Sequence, residues 1–398
     1  MKRIISSIVI GLAVIVLVVF SVINWSKKPS QTVIVSLDGF RISYLDSTNT
    51  PFLWELAQVS TFAEMAPSFP SITFPNHYTL ATGLRPEHNG IIGNTFYNYE
   101  KKDFYKITNA NRHNPDYYKG EPIWNTAAKQ DVKVGSLYWV GADAAINGMK
   151  PFLSKEWSNH LLTFGQRVDT TISWLTNQNC RLVMTYFEEP DGVGHKYGPY
   201  GKETKKMVHS LDSLMAILYQ EIKQLPNGDN INLIILSDHG MAAVPKENNI
   251  EPENYIKNSW ITHLVGNIPT MIYAEKNCTD SIYNALKDVE HLYVWKRADI
   301  PDSLQFSDDS NIGDILVLPE IGWQFSHNAH YDGGAHGFAP QNVEMHVPLI
   351  AYGPDFKDHY QLNTIINNTC IYPMTAKIIG VKANTNDGEN EPYKKLLK

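Results

Sequence analysis

The chain has 398 residues, 43% of them apolar and 19% charged, with a formal net charge of −7. That balance suits a sizeable globular core, as one large α/β domain or two smaller ones. It excludes a protein that grips a nucleic-acid duplex through a basic face, because such binding neutralises many phosphates and no long Lys/Arg run is present.

In chain order, the opening segment MKRIISSIVIGLAVIVLVVFSVINWSKKPS sets Lys2 and Arg3 before a mostly apolar run from Ile4 to Ile23, then Trp25, Lys27 and Lys28. The run has membrane-spanning length and no clear small-x-small cleavage site, so residues 1–30 are expected to be a membrane anchor or signal segment, uncleaved by preference. A thin excess of basic charge at the amino end places residues 31–398 outside the cytoplasm, in the periplasm or extracellular space. Cys180, Cys278 and Cys370 are odd in number and far apart, which gives neither a disulfide framework nor a CxxC zinc site.

Beyond the anchor, three apolar runs lead into acidic residues: TVIVSLDG to Asp38, RLVMTYFEEPDG to Asp191 and INLIILSDHG to Asp238. Unbroken β-branched runs predict strands buried on both faces of a mostly parallel sheet, and ligands gather at the carboxyl ends of such strands. A helix is expected after Thr50, with Pro51 at its start and Phe52, Leu53 and Leu56 on its buried side. The spacing of Met207, Leu211, Leu214, Met215, Leu218 and Ile222 predicts a second, core-facing helix. The run at Val347–Pro354 reads as another strand. Residues 97–162, rich in Tyr, Trp, Asn and Gly with weak periodicity, read as an insertion or lid over the site within a catalytic domain of 31–398.

The chemistry-bearing residues are Asp38; Asp191 and His195, four apart; Asp238 and His239, adjacent; and His336 in GGAHGF. Singly, such an Asp caps a helix and such a His is a satisfied polar group. Jointly, a mixed Asp/His set suits Zn²⁺ and is twice what one open catalytic zinc needs, so a pair of zinc ions fits better than one. Three aspartates offset three of the pair's four positive charges and leave a site attractive to phosphate. Thr73, in FPSITFPNHYTLATG, is then either a hydroxyl bracing a turn or a nucleophile whose alkoxide zinc would favour.

The segments LDGFR, PSITFPNHYTLATGLRPEHNGIIGN, EPIWNTAAKQ, WVGADAAING, YFEEPDGVGHKYGP, LSDHGM and AHGF resemble the nucleotide pyrophosphatase/phosphodiesterase family of the alkaline phosphatase superfamily, from about residue 32 to 355. The resemblance implies an alkaline-phosphatase-like α/β sandwich with a central mixed, mostly parallel sheet, helices on both faces and two zinc ions at the strand ends. It assigns Asp191, His195 and His336 to one metal site and Asp38, Thr73, Asp238 and His239 to the other. It makes Thr73 the nucleophile, with a covalent nucleotidyl-threonine that water resolves to a nucleoside 5′-monophosphate. Asn94 matches the side chain that hydrogen-bonds a phosphate oxygen.

Phe74 matches a base-stacking ring, and Trp157 is the nearest candidate for a second ring; packing in the core is the other reading of both. Ile72 stands where many animal members carry Lys. Small-molecule nucleotides are the expected substrates, with no obligate protein partner. Choline or lipid head-group phosphodiesters, or a phosphomonoester on the same fold, are the alternatives. His77 and His88 are expected to bond within the Pro-rich segment, and no Arg is evident beside Thr73.

Overall fold

The computed structural model describes residues 29–157, 161–388 and 392–398. Its main sheet is built from β1 (Gln31–Leu37), β2 (Thr61–Ala66), β3 (Val134–Leu137), β4 (Leu153–Lys155), β5 (Leu182–Phe187), β6 (Ile231–Leu236), β7 (Val347–Tyr352) and β8 (Tyr360–Asn367). The spatial order is β8-β2-β7-β6-β1-β5-β3-β4. β1 is central, parallel to β5 with Thr32 opposite Leu182 and parallel to β6 with Gln31 opposite Ile231. Only β7 runs antiparallel to its neighbours, so the sheet is mixed and mostly parallel.

The three runs read as doubly covered strands are β1, β5 and β6, and every residue of β5 and β6 is buried. Full burial of each Val, Leu or Ile stabilises the fold by about 1.5–3 kcal/mol. The parallel arrangement sends all three carboxyl ends to one edge. Asp38 follows β1 directly, Asp238 lies two residues past β6, and Asp191 opens a short helix after β5.

The helices that bear on the site and its sheet include α1 (Pro51–Val59), α2 (Thr73–Thr82), α3 (Phe164–Thr176), α4 (Asp191–Tyr197) and α5 (Lys202–Gln224); others include Thr279–Leu286 and Ile371–Ile378. Pro51 begins α1 as expected, and Leu53 and Leu56 are buried, with Phe52 half-buried. Thr50 does not cap α1, because its hydroxyl bonds to the Tyr44 carbonyl. Asp212, on the buried face of α5, supplies the cap by accepting the N–H groups of Leu53 at 2.8 Å and Phe52 at 3.2 Å. Leu211, Met215, Leu218 and Ile222 of α5 are buried, while Met207 and Leu214 are half-buried at the margin of that face.

Residues 97–162 are more than an insertion, since β3 and β4 fall inside that span and complete one edge of the main sheet. Strands of four and three residues containing Gly and Ser are too short to show a period. The preceding hairpin, Thr95–Asn98 with Asp103–Lys106, rests on a second sheet through Tyr97, whose N–H donates to Tyr273 Oη at 3.1 Å. That four-stranded antiparallel sheet, ordered Ile261–Val265, Thr270–Ala274, Ile315–Pro319 and Leu292–Lys296, has an apolar cluster of its own around Ile272, Ile315 and Val317. It was not legible in the hydrophobic pattern.

The anchor expected at residues 1–30 lies outside the described residues except for Pro29 and Ser30. Among the described residues no helix is long and apolar enough to cross a membrane. Cys180 and Cys370 are buried and Cys278 is half-buried.

Candidate active site

Thr73 is the first residue of α2, preceded by Ile72 in extended conformation. The approach is held by Asn76, whose Nδ2 donates to the carbonyls of Pro70 and Ile72 at 2.9 Å and whose Oδ1 accepts the Ser68 N–H at 2.8 Å. The Thr73 hydroxyl therefore sits at the positive end of a ten-residue helix, a place that favours an anion. Its Oγ1 is 3.1 Å from His239 Nε2.

Three imidazoles converge on this point, and their orientation is set from behind. Nδ1 of His195, His239 and His336 lies 2.8, 2.9 and 2.9 Å from the carbonyl oxygens of Gly334, Gly240 and Ser71. A carbonyl carries no proton, so each Nδ1 donates and each neutral ring turns an Nε2 lone pair inward. The His195 and His336 Nε2 atoms are 3.2 Å apart. His239 stacks on His336 with centroids 3.6 Å apart, and its Nε2 is 3.3 Å from Asp38 Oδ1 and 3.1 Å from Asp238 Oδ2. Asp191 faces His195 at 3.4 Å and His336 at 3.5 Å.

Lone pairs facing lone pairs, with buried carboxylate oxygens among them, repel unless a cation lies between. Asp38 Oδ1, Asp191 Oδ1 and Asp238 Oδ2 are buried and accept no well-formed hydrogen bond. A second proton on His239 and His336 is disfavoured: burial, then neighbouring His239, pushes His336 down to about 3, and burial lowers His239 against the pull of Asp238. Burial, then Asp238 and Asp191, raises Asp38 well above the carboxylate range. Burial raises Asp238 too, but His239 and His77 outweigh it and hold that carboxyl low. The donors fit metal ions in two overlapping groups, Asp38 with Asp238 and His239, and Asp191 with His239 and His336, each with its donor atoms within 4.8 Å of one another. His239 touches both groups, where the resemblance gave it to one.

A cleft of about 820 Å³ opens over these residues. Thr73, Asn94, Phe74, Trp157, Asp38, Asp191, His195 and His336 line it, while Asp238 and His239 lie fully buried beneath. Asn94 Oδ1 accepts the Phe74 N–H at 3.0 Å, which turns its amide NH₂ away from the helix end. Phe74 and Trp157 are both half-buried, and Trp157 packs edge-on to Tyr138 and tilted to Tyr186.

Several residues escaped the sequence reading. Tyr186 donates to Asp38 Oδ2 at 2.5 Å. His77 bonds within the Pro-rich segment, from Nδ1 to the Thr73 carbonyl at 3.0 Å, and also beyond it, to Ser36 at 2.9 Å and towards Asp238 at 3.3 Å, whereas His88, in the separate short helix Pro86–Asn89, reaches Asp387 at 2.8 Å. The fourfold spacing from Thr73 to His77 was the available signal for a shared helix face. Arg112 also lines the cleft, donating to the Trp157 carbonyl at 2.8 Å from an irregular segment that carries no periodic signal. Glu188 is paired with buried Arg167, and Glu189 accepts the Val193 N–H at 3.0 Å.

Comparison with known proteins agrees with this geometry. Residues 32–339 match the family model for type I phosphodiesterase / nucleotide pyrophosphatase. The chain is 33% identical over 381 residues to a bis(5′-adenosyl)-triphosphatase of Xenopus laevis, covering 94% of this chain and 82% of that one. It is 30% identical over 392 residues to ectonucleotide pyrophosphatase/phosphodiesterase family member 7 of Rattus norvegicus, covering 94% and 88%. Among solved structures, an inactive threonine-to-alanine form of murine ectonucleotide pyrophosphatase/phosphodiesterase 5 in complex with AMP superposes with a TM-score of 0.88 at 27% identity, covering 93% of this chain and all of the other. With the alkaline-phosphatase-like fold and the Asp/His centre under Thr73, the chain belongs to the type I phosphodiesterase / nucleotide pyrophosphatase family and is an enzyme of that class.

Proposed function

We propose that the chain hydrolyses phosphodiester or pyrophosphate bonds of small nucleotides with two zinc ions, through a covalent nucleotidyl-threonine at Thr73, and releases nucleoside 5′-monophosphates. The observation that carries this reading is the Thr73 hydroxyl, at a helix amino terminus and 3.1 Å from His239, the residue common to both donor groups. The AMP complex of the murine relative's threonine-to-alanine form supports it. Asp191, His195 and His336 would hold one ion, and Asp38, Asp238 and His239, with Thr73, the other. When bound, the pair supplies positive charge that favours the threonine alkoxide and an ionised water and balances charge on the phosphoryl oxygens.

The residues of the chain do the rest. Having lost its proton to solvent, Thr73 Oγ attacks phosphorus, and the bond to the leaving group breaks as the Thr73 ester forms. Water then attacks the same phosphorus, the Thr73 ester breaks, and the hydroxyl regains a proton. The Asn94 NH₂ donates to a phosphoryl oxygen as charge builds there. Phe74 and Trp157 hold the base by stacking, and no base-specific contact is required for that grip. Work outside the cytoplasm, by a single catalytic domain of 31–398, is part of this reading, supported by the ectonucleotide designation of the rat relative.

The test is Thr73→Ala assayed on p-nitrophenyl 5′-TMP, p-nitrophenylphosphorylcholine and p-nitrophenyl phosphate. The expected wild-type order puts the nucleotide ester first, and the variant loses turnover while keeping about two zinc ions per chain. Full activity in the variant refutes the nucleophile, and a preference for phosphorylcholine refutes the substrate class.

A further inference from the structure

We propose that His77 is a positioning residue for the nucleophile, a buried imidazole that locks the first turn of α2, Asp238 and β1 into one arrangement; the proposal rests on Thr73 being the nucleophile. His77 is fully buried and is absent from the cleft wall, so it meets no substrate. Its Nδ1 lies 3.0 Å from the Thr73 carbonyl oxygen and 3.3 Å from Asp238 Oδ2. Both atoms are acceptors, so Nδ1 carries the hydrogen and is shared between them. Nε2 then holds the lone pair and accepts from the Ser36 hydroxyl at 2.9 Å.

Ser36 stands two residues before Asp38 on β1, so one ring spans the backbone of the nucleophile, one buried carboxylate and the strand that delivers another. The ring cannot easily turn. Trp139 and Tyr186 meet it edge-on with centroids at 5.2 and 4.7 Å, and Trp139 Nε1 donates to the His77 carbonyl at 3.0 Å. Tyr186 in turn holds Asp38. Asp238 Oδ1 is held by the Gly39 N–H at 3.3 Å and the Ser237 hydroxyl at 3.2 Å, and the shared Nδ1–H approaches the Oδ2 side of the same carboxylate. A misplacement of about 1 Å in a reacting group can cost on the order of 100-fold in rate. That is the loss His77 guards against.

The experiment compares His77→Phe, His77→Asn and Ser36→Ala holoenzymes on p-nitrophenyl 5′-TMP, with zinc affinity measured separately by chelator competition. His77→Phe keeps a ring of similar size without donors, and is expected to lose about 10–100-fold in kcat, with KM within about threefold, and to bind zinc more weakly. Asn can place an amide N–H where Nδ1 was, and is expected to recover most of the lost kcat. Ser36→Ala frees only Nε2 and gives a smaller loss. An Asn variant no better than Phe, or a loss confined to KM, overturns the proposal. If His77→Phe does not fold, Ser36→Ala carries the test, and unchanged kcat and zinc affinity there overturn it. Thr73→Ala in the same assay separates the two ideas: an active Thr73→Ala refutes the nucleophile itself, whereas an inactive one beside a fully active His77→Phe refutes only the role of His77.

Discussion

Asn94 and Phe74 are joined by a 3.0 Å hydrogen bond from the Phe74 N–H to Asn94 Oδ1, which spends the acceptor half of the amide on the helix end and leaves the donor half for a ligand. The bond thus orients Asn94 in the cleft that Thr73 also lines. Asn94→Ala is expected to lower kcat on p-nitrophenyl 5′-TMP by about 10²–10³-fold, as loss of one oxyanion donor does elsewhere. A kcat within a few-fold of wild type would remove Asn94 from the reaction.

Removing metal should do more than silence the enzyme. Three buried carboxylate oxygens, of which Asp238 Oδ2 has only the long 3.3 Å approach of His77 Nδ1, and three inward imidazole lone pairs repel one another when no cation separates them. Zinc at about 1,000 times its dissociation constant would stabilise the native state by about 4 kcal/mol per independent site. Calorimetry of chelated and zinc-titrated protein is expected to show a melting temperature that climbs with zinc concentration. A flat response would show that these residues do not bind zinc.

The half-buried rings of Phe74 and Trp157 give a separable prediction. Each base stack is worth about 1–3 kcal/mol, so Phe74→Ala and Trp157→Ala should each raise KM for nucleotide esters by that equivalent. Hydrolysis of p-nitrophenyl phosphate, which has no base, should change little. Equal losses on both substrates would return these rings to the core.

Asp212 bears on stability rather than catalysis. It is buried and accepts two N–H groups of α1, so Asp212→Ala strips the helix of its cap and is expected to cost about 1–2 kcal/mol in urea unfolding. The kcat of the folded variant should be unchanged. A stability equal to wild type would show that solvent satisfies those amides as well.

Legibility followed periodicity. β1, β5 and β6 were visible because each is an unbroken apolar run buried on both faces, and the parallel rule then put Asp38, Asp191 and Asp238 at one edge. The helix carrying Asp212 was visible, but not that an Asp on its apolar face caps another helix, since Leu53 and Asp212 meet only in the fold. β3 and β4 were hidden by their length, and the second sheet by five-residue strands interrupted by the helix Thr279–Leu286. The position of His239 between both donor groups depends on stacking against His336, a contact between residues far apart in the chain. Arg112 sits in a 3₁₀ turn of Ala110–His113, where no repeat points inward.

The central place of β1 shapes how the protein must be made. Its partners β5 and β6 come about 150 and 200 residues later in the chain. A ribosome adding about 5–20 residues per second takes roughly 10–40 s to cover the longer interval. Until β5 is made Val33, Ile34 and Val35, destined to be covered on both faces, have neither neighbouring strand to pair with, and until β6 is made they lack one of the two. Exposure of an unpaired β1 during synthesis is therefore set by strand order, and slowing synthesis between residues 38 and 231 should lower the soluble yield more than slowing it after residue 236.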